Sequence, residues 1–289
     1  MCVNQLGAKV HSKGFVLIAQ NSEYDYVQQA CALAMSIQAT NEAKICLITN
    51  DKVPSRYEKL FDIIKPIPWS DDAKDNAWKV DNRWKLYHAS PYDETIVLDT
   101  DMLVLQNIDT WWKFLSNYEV FYTSNVYTYR GEKVVDNHYR KTYVANNLPN
   151  VYAGFHYFKK CDFAKEFYTL LELVMNNWQL FYGKYAKEQY QKFLSVDTST
   201  AIVTKILDCE DKITNKLVKF PTFTHMKPHI QGWKNGSATW RSRVGSYLTD
   251  DLTLKIGNHL QSGIFHYTEK EFLTEEKIKK YENYITKNY

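Results

Sequence analysis

None of the ten glycines in this chain stands in a Gly-x-Gly pair, so neither the dinucleotide fingerprint nor a phosphate-cradling P-loop can be built. A serine-hydrolase elbow of the Gly-x-Ser-x-Gly type is missing as well. Five cysteines, Cys2, Cys31, Cys46, Cys161 and Cys209, lack the short paired spacing of a zinc site or redox motif and read as reduced, buried thiols. No stretch approaches the roughly 20 apolar residues of a membrane-crossing helix. The opening residues, with Lys9, His11 and Lys13, make a poor secretory leader. Net charge is only +3, from 36 basic against 33 acidic side chains, too small a surplus to argue for nucleic acid by field strength. A soluble protein in a reducing cytoplasm is the expectation.

What the chain does have is bulk and rings. Its 289 residues are 45% hydrophobic, enough for one substantial core. With 22 Tyr, 14 Phe and 8 Trp, most rings must build that core, and a few could line a sugar or base site.

Short apolar runs at 15–19 and 45–48 predict buried strands. Between them, Ser22 and Asp25 resemble a capping box, and Tyr26, Ala30, Leu33, Ala34 and Ile37 recur at helical spacing. Further strands are expected at 63–64, 96–98, 120–122, 155–158 and 264–267. Helices are expected at 83–89, stopped by Pro91, at 163–180, from Asp197 onward, and at the C-terminus with Ile278, Tyr281 and Ile285 on one face. The stretches 70–76, 125–150 and 222–246 read as loops. Strand-helix-strand repetition predicts an α/β class, Rossmann-like, as a single domain with a mostly parallel central sheet flanked by helices.

The most informative feature is Ile96-Val97-Leu98, apolar on both faces as a central parallel strand should be, running straight into Asp99-Thr100-Asp101. If the backbone stays extended, Asp99 and Asp101 project to the same side. Two carboxylates at the carboxyl end of a parallel strand sit where α/β proteins bind ligands, and a divalent cation, Mg²⁺ or Mn²⁺, removes the cost of burying them. The bare Asp-x-Asp pattern also fits a turn whose aspartates cap backbone amides. Met102 to Leu105 resumes apolar character at once, so the acids interrupt a core element.

The stretch from Arg83-Trp84-Lys85-Leu86 through Thr95-Ile96-Val97-Leu98-Asp99-Thr100-Asp101-Met102 to Asn107-Ile108-Asp109 resembles glycosyltransferase family 8, the glycogenin and galactosyltransferase-like group with the GT-A fold. Ala19-Gln20-Asn21-Ser22-Glu23-Tyr24 and Ala32-Leu33-Ala34-Met35-Ser36-Ile37 resemble the same family's nucleotide-binding strand, loop and helix. The resemblance implies a metal-dependent enzyme transferring a sugar from a nucleotide-sugar, a UDP-sugar, with retention at the anomeric carbon. Residues 14–110 would bind the donor, 111–270 would form the acceptor side, and 271–289 the C-terminal helix. It further implies that Asn21 and Tyr24 contact the base, with Ala19 and Gln20 beside them. Arg83 and Thr100 would serve the donor sugar or diphosphate, and His266, in Gly263-Ile264-Phe265-His266-Tyr267, would be the third metal ligand. His225 is its rival and could serve the donor phosphates instead. Asp197, in Leu194-Ser195-Val196-Asp197-Thr198-Ser199, matches the family's aspartate near the reacting sugar, although as a bare residue it is also a good helix N-cap.

The sequence departs from the family in two places. Tyr152-Ala153 replaces the Asn-Ser before Gly154, on the acceptor side. After His266 the chain reads Tyr267-Thr268-Glu269-Lys270, without the family's Gly and Lys-Pro-Trp, and Lys270 stands as the phosphate contact. Residues 225–243 interleave His225, Lys227, His229, Lys234, Arg241 and Arg243 with Trp233 and Trp240, as an anionic partner or a basic surface loop would require. Their wording is similar to glycosyltransferases carried by bacteriophages, which makes a modified DNA base, in a host cytoplasm, an acceptor to weigh beside a glycan or a protein. Two other classes compete: a haloacid-dehalogenase-like phosphatase, whose Asp-x-Asp belongs to the first strand of its domain, and a nucleotide-sugar-binding module without turnover.

Overall fold

The structure, a computed structural model, describes residues 12–76, 79–134, 140–188, 191–227 and 239–288. Alternation along its first strand, β1 (Lys13–Ile18), explains the layering. Phe15 and Leu17 enter one apolar cluster while Val16 and Ile18 enter another, so the sheet must be covered on both faces. Residues of β4 (Glu94–Leu98) divide the same way, Ile96 and Leu98 to the first cluster and Val97 to the second.

The main sheet runs β3 (Ile63–Lys65), β2 (Ile45–Ile48), β1, β4, β8 (Tyr152–Lys159) and β6 (Val120–Thr123). Only β8 opposes the other five, so the expected mostly parallel sheet is present. Helices Tyr26–Thr40 and Glu275–Asn288 cover one face, and helices Asp162–Asn176 and Val196–Ile206 cover the other. In the first helix Ala30, Leu33, Ala34 and Ile37 are wholly buried. Burying a Leu or Ile side chain stabilises by about 1.5–3 kcal/mol, which makes this face the helix's anchor.

Local chemistry corrects several expected boundaries. Asp25, and not Ser22, caps the first helix, its carboxylate accepting from the Gln28 N–H at 2.8 Å. The single helix expected over 163–180 is two, Asp162–Asn176 and Trp178–Tyr185, because Asn177 leaves the helical region and its amide donates back to the Leu173 carbonyl. Residues 83–89 form a 3₁₀ turn, Arg83–Lys85, followed by the short helix Leu86–Ala89.

A second sheet was not legible in the pattern. It orders β5 (Met102–Val104), β13 (Ile264–His266), β9 (Phe223–His225) and β7 (Val126–Tyr127). Strands β7 and β9 fall inside stretches expected to be loops, being too short to show a period. The ribbon β10 (Ser246–Leu248), β11 (Leu254–Ile256) and β12 (His259–Leu260) was likewise unforeseen. The apolar run broken by acids is therefore two strands in two sheets, and Asp99-Thr100-Asp101 is the step between them.

Candidate active site

Thr100 and Asp101 lie in a turn, so the two carboxylates do not converge by strand alternation as expected. The crossing between sheets brings them together. The Asp99 N–H donates to the Gly154 carbonyl of β8 at 2.9 Å, and the Asp101 carbonyl accepts from the Tyr267 N–H at 3.1 Å, so each sheet pins one aspartate. Antiparallel pairing of β13 with β5 sets His266 opposite Met102, next to Asp101. Its Nε2 lies 3.1 Å from Asp101 Oδ2, and one ligand atom from each of Asp99, Asp101 and His266 falls within 4.8 Å of the others.

Asp101 and His266 are buried, and such a carboxylate needs compensation. Lys270 Nζ sits 2.5 Å from Asp101 Oδ2, and Arg83 contacts Asp99 through its Nη2. Burial alone would raise the Asp101 carboxyl, but the His266 and Lys270 charges and hydrogen bonds outweigh it and hold the group well below the usual carboxylate range. Two acid oxygens and one imidazole nitrogen suit Mn²⁺ or Mg²⁺. Gly154 completes the cradle: a Cβ there would stand 2.8 Å from Asp99 Oδ2 and 2.9 Å from the end of Met102.

Asp197 lies in the first turn of helix Val196–Ile206 but does not cap it; the Ser195 side chain accepts from the Thr198 N–H instead. The freed carboxylate turns to β8, where Oδ1 accepts from the Ala153 N–H at 2.8 Å and Oδ2 from Arg140 Nη1 at 2.7 Å. The Arg140 guanidinium lies 3.8 Å from the Tyr152 ring centre and 4.0 Å from that of Tyr143, and its other groups donate to Asn150 Oδ1 and the Val151 carbonyl. Burial pushes the Asp197 carboxyl up, yet Arg140 and the Ala153 N–H bring it below its ordinary value. Sequence reasoning missed Arg140, which lies in an aperiodic polar stretch. The departure at Tyr152 gains a reason, because its ring covers Arg140; the bond from Ala153 to Asp197 is made by the backbone and does not depend on the side chain there.

The loop after β1 is tied down from within. Gln20 is buried, donating from Nε2 to Asp71 Oδ1 at 2.8 Å and accepting from Asn82 Nδ2 at 2.9 Å, so its amide is engaged with protein groups. Asp71, another residue the sequence did not single out, is driven up by burial but further down by hydrogen bonds from Asn82, Gln20 and the Ala73 N–H. Asn21 ties the loop to the first turn of the helix that Asp25 caps, its side-chain oxygen accepting from the Val27 N–H at 3.0 Å. The Ala19 N–H serves the sheet, donating to the Ile48 carbonyl, while Tyr24 is exposed and Thr100 buried. Lys270 Nζ, 5.2 Å from the Tyr26 ring centre, joins the start of the first helix to the acids.

His225 lies outside the ligand triad but touches it: its Nδ1 is 3.0 Å from His266 Nδ1. Burial, reinforced by the Lys227 and His266 charges, holds His225 well below its usual range. Trp240 is no stacking surface, being wholly buried with its indole N–H donating to the Tyr267 carbonyl, and Arg241 pairs with Glu271. His229, Trp233 and Lys234 lie outside the described residues, as do Cys2, Lys9 and His11; the other four cysteines are free. No helix among the described residues is long and apolar enough to cross a membrane.

No model of a known protein family matches the chain, and no curated protein matches its sequence. Among solved structures, the galactosyltransferase LgtC in complex with donor and acceptor sugar analogues is similar with a TM-score of 0.52 at 12% identity, covering 94% of each chain. Mouse xyloside xylosyltransferase 1, apo form, aligns with a TM-score of 0.49 at 12% identity over 89% of this chain and 98% of that one. The glycosyltransferase GlyE of Streptococcus pneumoniae TIGR4 aligns with a TM-score of 0.42 at 14% identity over 70% of this chain, which spans only 44% of the GlyE chain. The likeness to LgtC, over nearly the whole of both chains, establishes that this chain has the GT-A fold.

Proposed function

We propose that this chain is a metal-dependent glycosyltransferase that moves a sugar from a nucleotide-sugar, a UDP-sugar, to an acceptor with retention at the anomeric carbon. The observation that carries the reading is the meeting of Asp99, Asp101 and His266 at the step between the two sheets, with Arg83 and Lys270 already on the two carboxylates. A Mn²⁺ or Mg²⁺ ion held by these three ligands would supply Lewis-acid stabilisation of the charge that develops on the departing diphosphate.

The chain's own residues do the rest. Arg83 and Lys270, released from Asp99 and Asp101, turn to the phosphate oxygens, where a forked guanidinium and an ammonium make charge-assisted hydrogen bonds. Asp197, ionised and clamped from both sides, presents a fixed carboxylate to the sugar or the acceptor hydroxyl. Asn21 and Tyr24, on the loop that ends β1, face the base, with Ala19 and Gln20 shaping the turn and Thr100 packed between the acids. In this reading residues 14–110 bind the donor together with His266 and Lys270, and the rest of 111–270 forms the acceptor side.

Topology weighs against a phosphatase of the haloacid-dehalogenase type, because the acids follow the fourth strand in the chain and not the first. Incubation with UDP-sugars and Mn²⁺ should release UDP slowly in water and faster with an acceptor present. Labelled sugar recovered on a glycan, a protein or a modified DNA base identifies that acceptor. Binding of UDP and Mn²⁺ with no release over days would leave a binding module; phosphate release from a simple ester without sugar release would sink the transferase.

A further inference from the structure

His225 and His266 occupy matched positions on neighbouring parallel strands, β9 and β13, in direct register. Strands in a sheet lie about 4.8 Å apart, so in-register side chains on one face stand side by side. The two ring centres are 4.7 Å apart, which makes the pairing a product of the backbone and not of a chance rotamer. Phe223 and Tyr152 close around His225 with ring centres at 5.5 and 5.8 Å, both edge-on, leaving the ring little room to turn.

The two Nδ1 atoms are 3.0 Å apart. At that separation two lone pairs repel and two N–H groups collide, so one Nδ1 carries the proton and the other accepts it. The opposite edge of His266 decides which. Facing the Asp101 carboxylate at 3.1 Å, a neutral His266 donates from Nε2, leaving its Nδ1 as acceptor and His225 Nδ1 as donor. Facing a cation, Nε2 must offer its lone pair, and then His266 carries its proton on Nδ1.

We infer that His225 is the positioning residue that holds His266 in its metal-binding tautomer, by accepting a hydrogen bond from His266 Nδ1–H, and that the pair exchanges tautomers when a cation enters. The inference rests on the metal reading above. The protons balance: the His225 Nδ1 proton passes to His266 Nδ1, the His266 Nε2 proton leaves to solvent, and His225 Nε2 takes one up. Neither ring changes its net charge.

Two measurements on the full chain test this. In ¹⁵N-histidine-labelled protein, long-range ¹H–¹⁵N spectra should show His266 as the Nε2–H form and His225 as the Nδ1–H form without cation, and both reversed with Mg²⁺ and UDP. A His225 that keeps its Nδ1 proton with the cation bound overturns the proposal. Titration of Mn²⁺ followed by the signal of the free ion should show His225→Phe weakened about 10–100-fold, the usual effect of losing an outer partner of a metal-bound histidine. His225→Asn, whose side-chain oxygen falls near the Nδ1 position, should recover most of that loss. A folded His225→Phe protein that binds Mn²⁺ like the unaltered chain defeats the inference and leaves the metal reading standing. An unaltered chain that binds no Mn²⁺, with or without UDP, defeats both.

Discussion

Arg140 donates to the Asp197 carboxylate across 2.7 Å, joining residues 57 apart in sequence through a pair in which the arginine side chain is only 7% exposed. Removing one partner of a buried pair strands the other charge, at about 3–5 kcal/mol. Arg140→Leu should therefore lower Tm by roughly 5–10 °C, and adding Asp197→Asn should restore part of the loss, because the stranded carboxylate is gone. Chemical denaturation of both single variants and the double variant measures this. Strictly additive losses would show that the pair is not coupled.

Gly154 sits against Asp99 so closely that its backbone carbonyl binds the Asp99 N–H at 2.9 Å and an added Cβ would meet the carboxylate at 2.8 Å. Gly154→Ala must displace Asp99, since the backbone on both sides is pinned in the sheet. Overpacking of this kind costs about 1–3 kcal/mol, which a chain of this size survives. The expected outcome is a folded protein with Tm down by a few degrees and Mn²⁺ affinity down by at least about tenfold, judged against the typical effect of disturbing a metal's surroundings. Unchanged Mn²⁺ binding by the folded variant would remove Asp99 from the ligand set.

Much of this site could be read in advance because its central element is unusual in one dimension. A run apolar on both faces that ends on two acids is visible without knowing any contact, and so is helix Tyr26–Thr40, where the apolar residues that recur at helical spacing, Ala30, Leu33, Ala34 and Ile37, are all buried, although the helix is buried on its other sides as well from Gln29 to Ile37. What escaped is what depends on pairing across the chain. Strands β7 and β9 have two and three residues, too few for a period to emerge. Ser195 and Asp197 are both competent caps, and only the position of the Ala153 amide and Arg140 decides that serine caps while aspartate is released. His225 and His266 each end a short strand, and nothing in one dimension could say that the register would set them side by side.

His156 is buried against Tyr122, Nδ1 bonded to the Ala153 carbonyl at 2.8 Å and Nε2 without a hydrogen-bond partner among the described residues. Burial is the main cause holding its pKa down to about 3, from an ordinary 6.5. Below pH 6.5 the unfolded chain therefore binds a proton that the folded chain refuses. The contribution is fully present above 6.5 and is lost as pH falls toward 3, by up to about 1.4 kcal/mol per pH unit. Melting between pH 7 and 5.5, above the range where ordinary carboxylates titrate, should show Tm falling. His156→Phe, which keeps the ring against Tyr122, should flatten that fall in part, with His225 and His88, both held down mainly by burial, contributing to the remainder. Parallel profiles for the two proteins would assign the slope elsewhere.

Lys270 and Arg83 now occupy the carboxylates that a cation needs, so cation and diphosphate should assist each other. A diphosphate draws both basic groups away from Asp101 and Asp99, uncovering the ligands, and a bound cation frees the basic groups for phosphate. Such coupling is reciprocal and typically amounts to about 1–3 kcal/mol. Mn²⁺ alone should then raise Tm little, and Mn²⁺ with UDP should raise it by more than the sum of the separate shifts, to roughly 5 °C or more at 100-fold excess over Kd. Lys270→Met should strengthen Mn²⁺ binding in the absence of UDP, by removing the competitor on Asp101, and weaken UDP binding in its presence. Equal Mn²⁺ affinity with and without UDP, in the unaltered chain and in Lys270→Met alike, would show that Lys270 neither guards the metal site nor serves the phosphates.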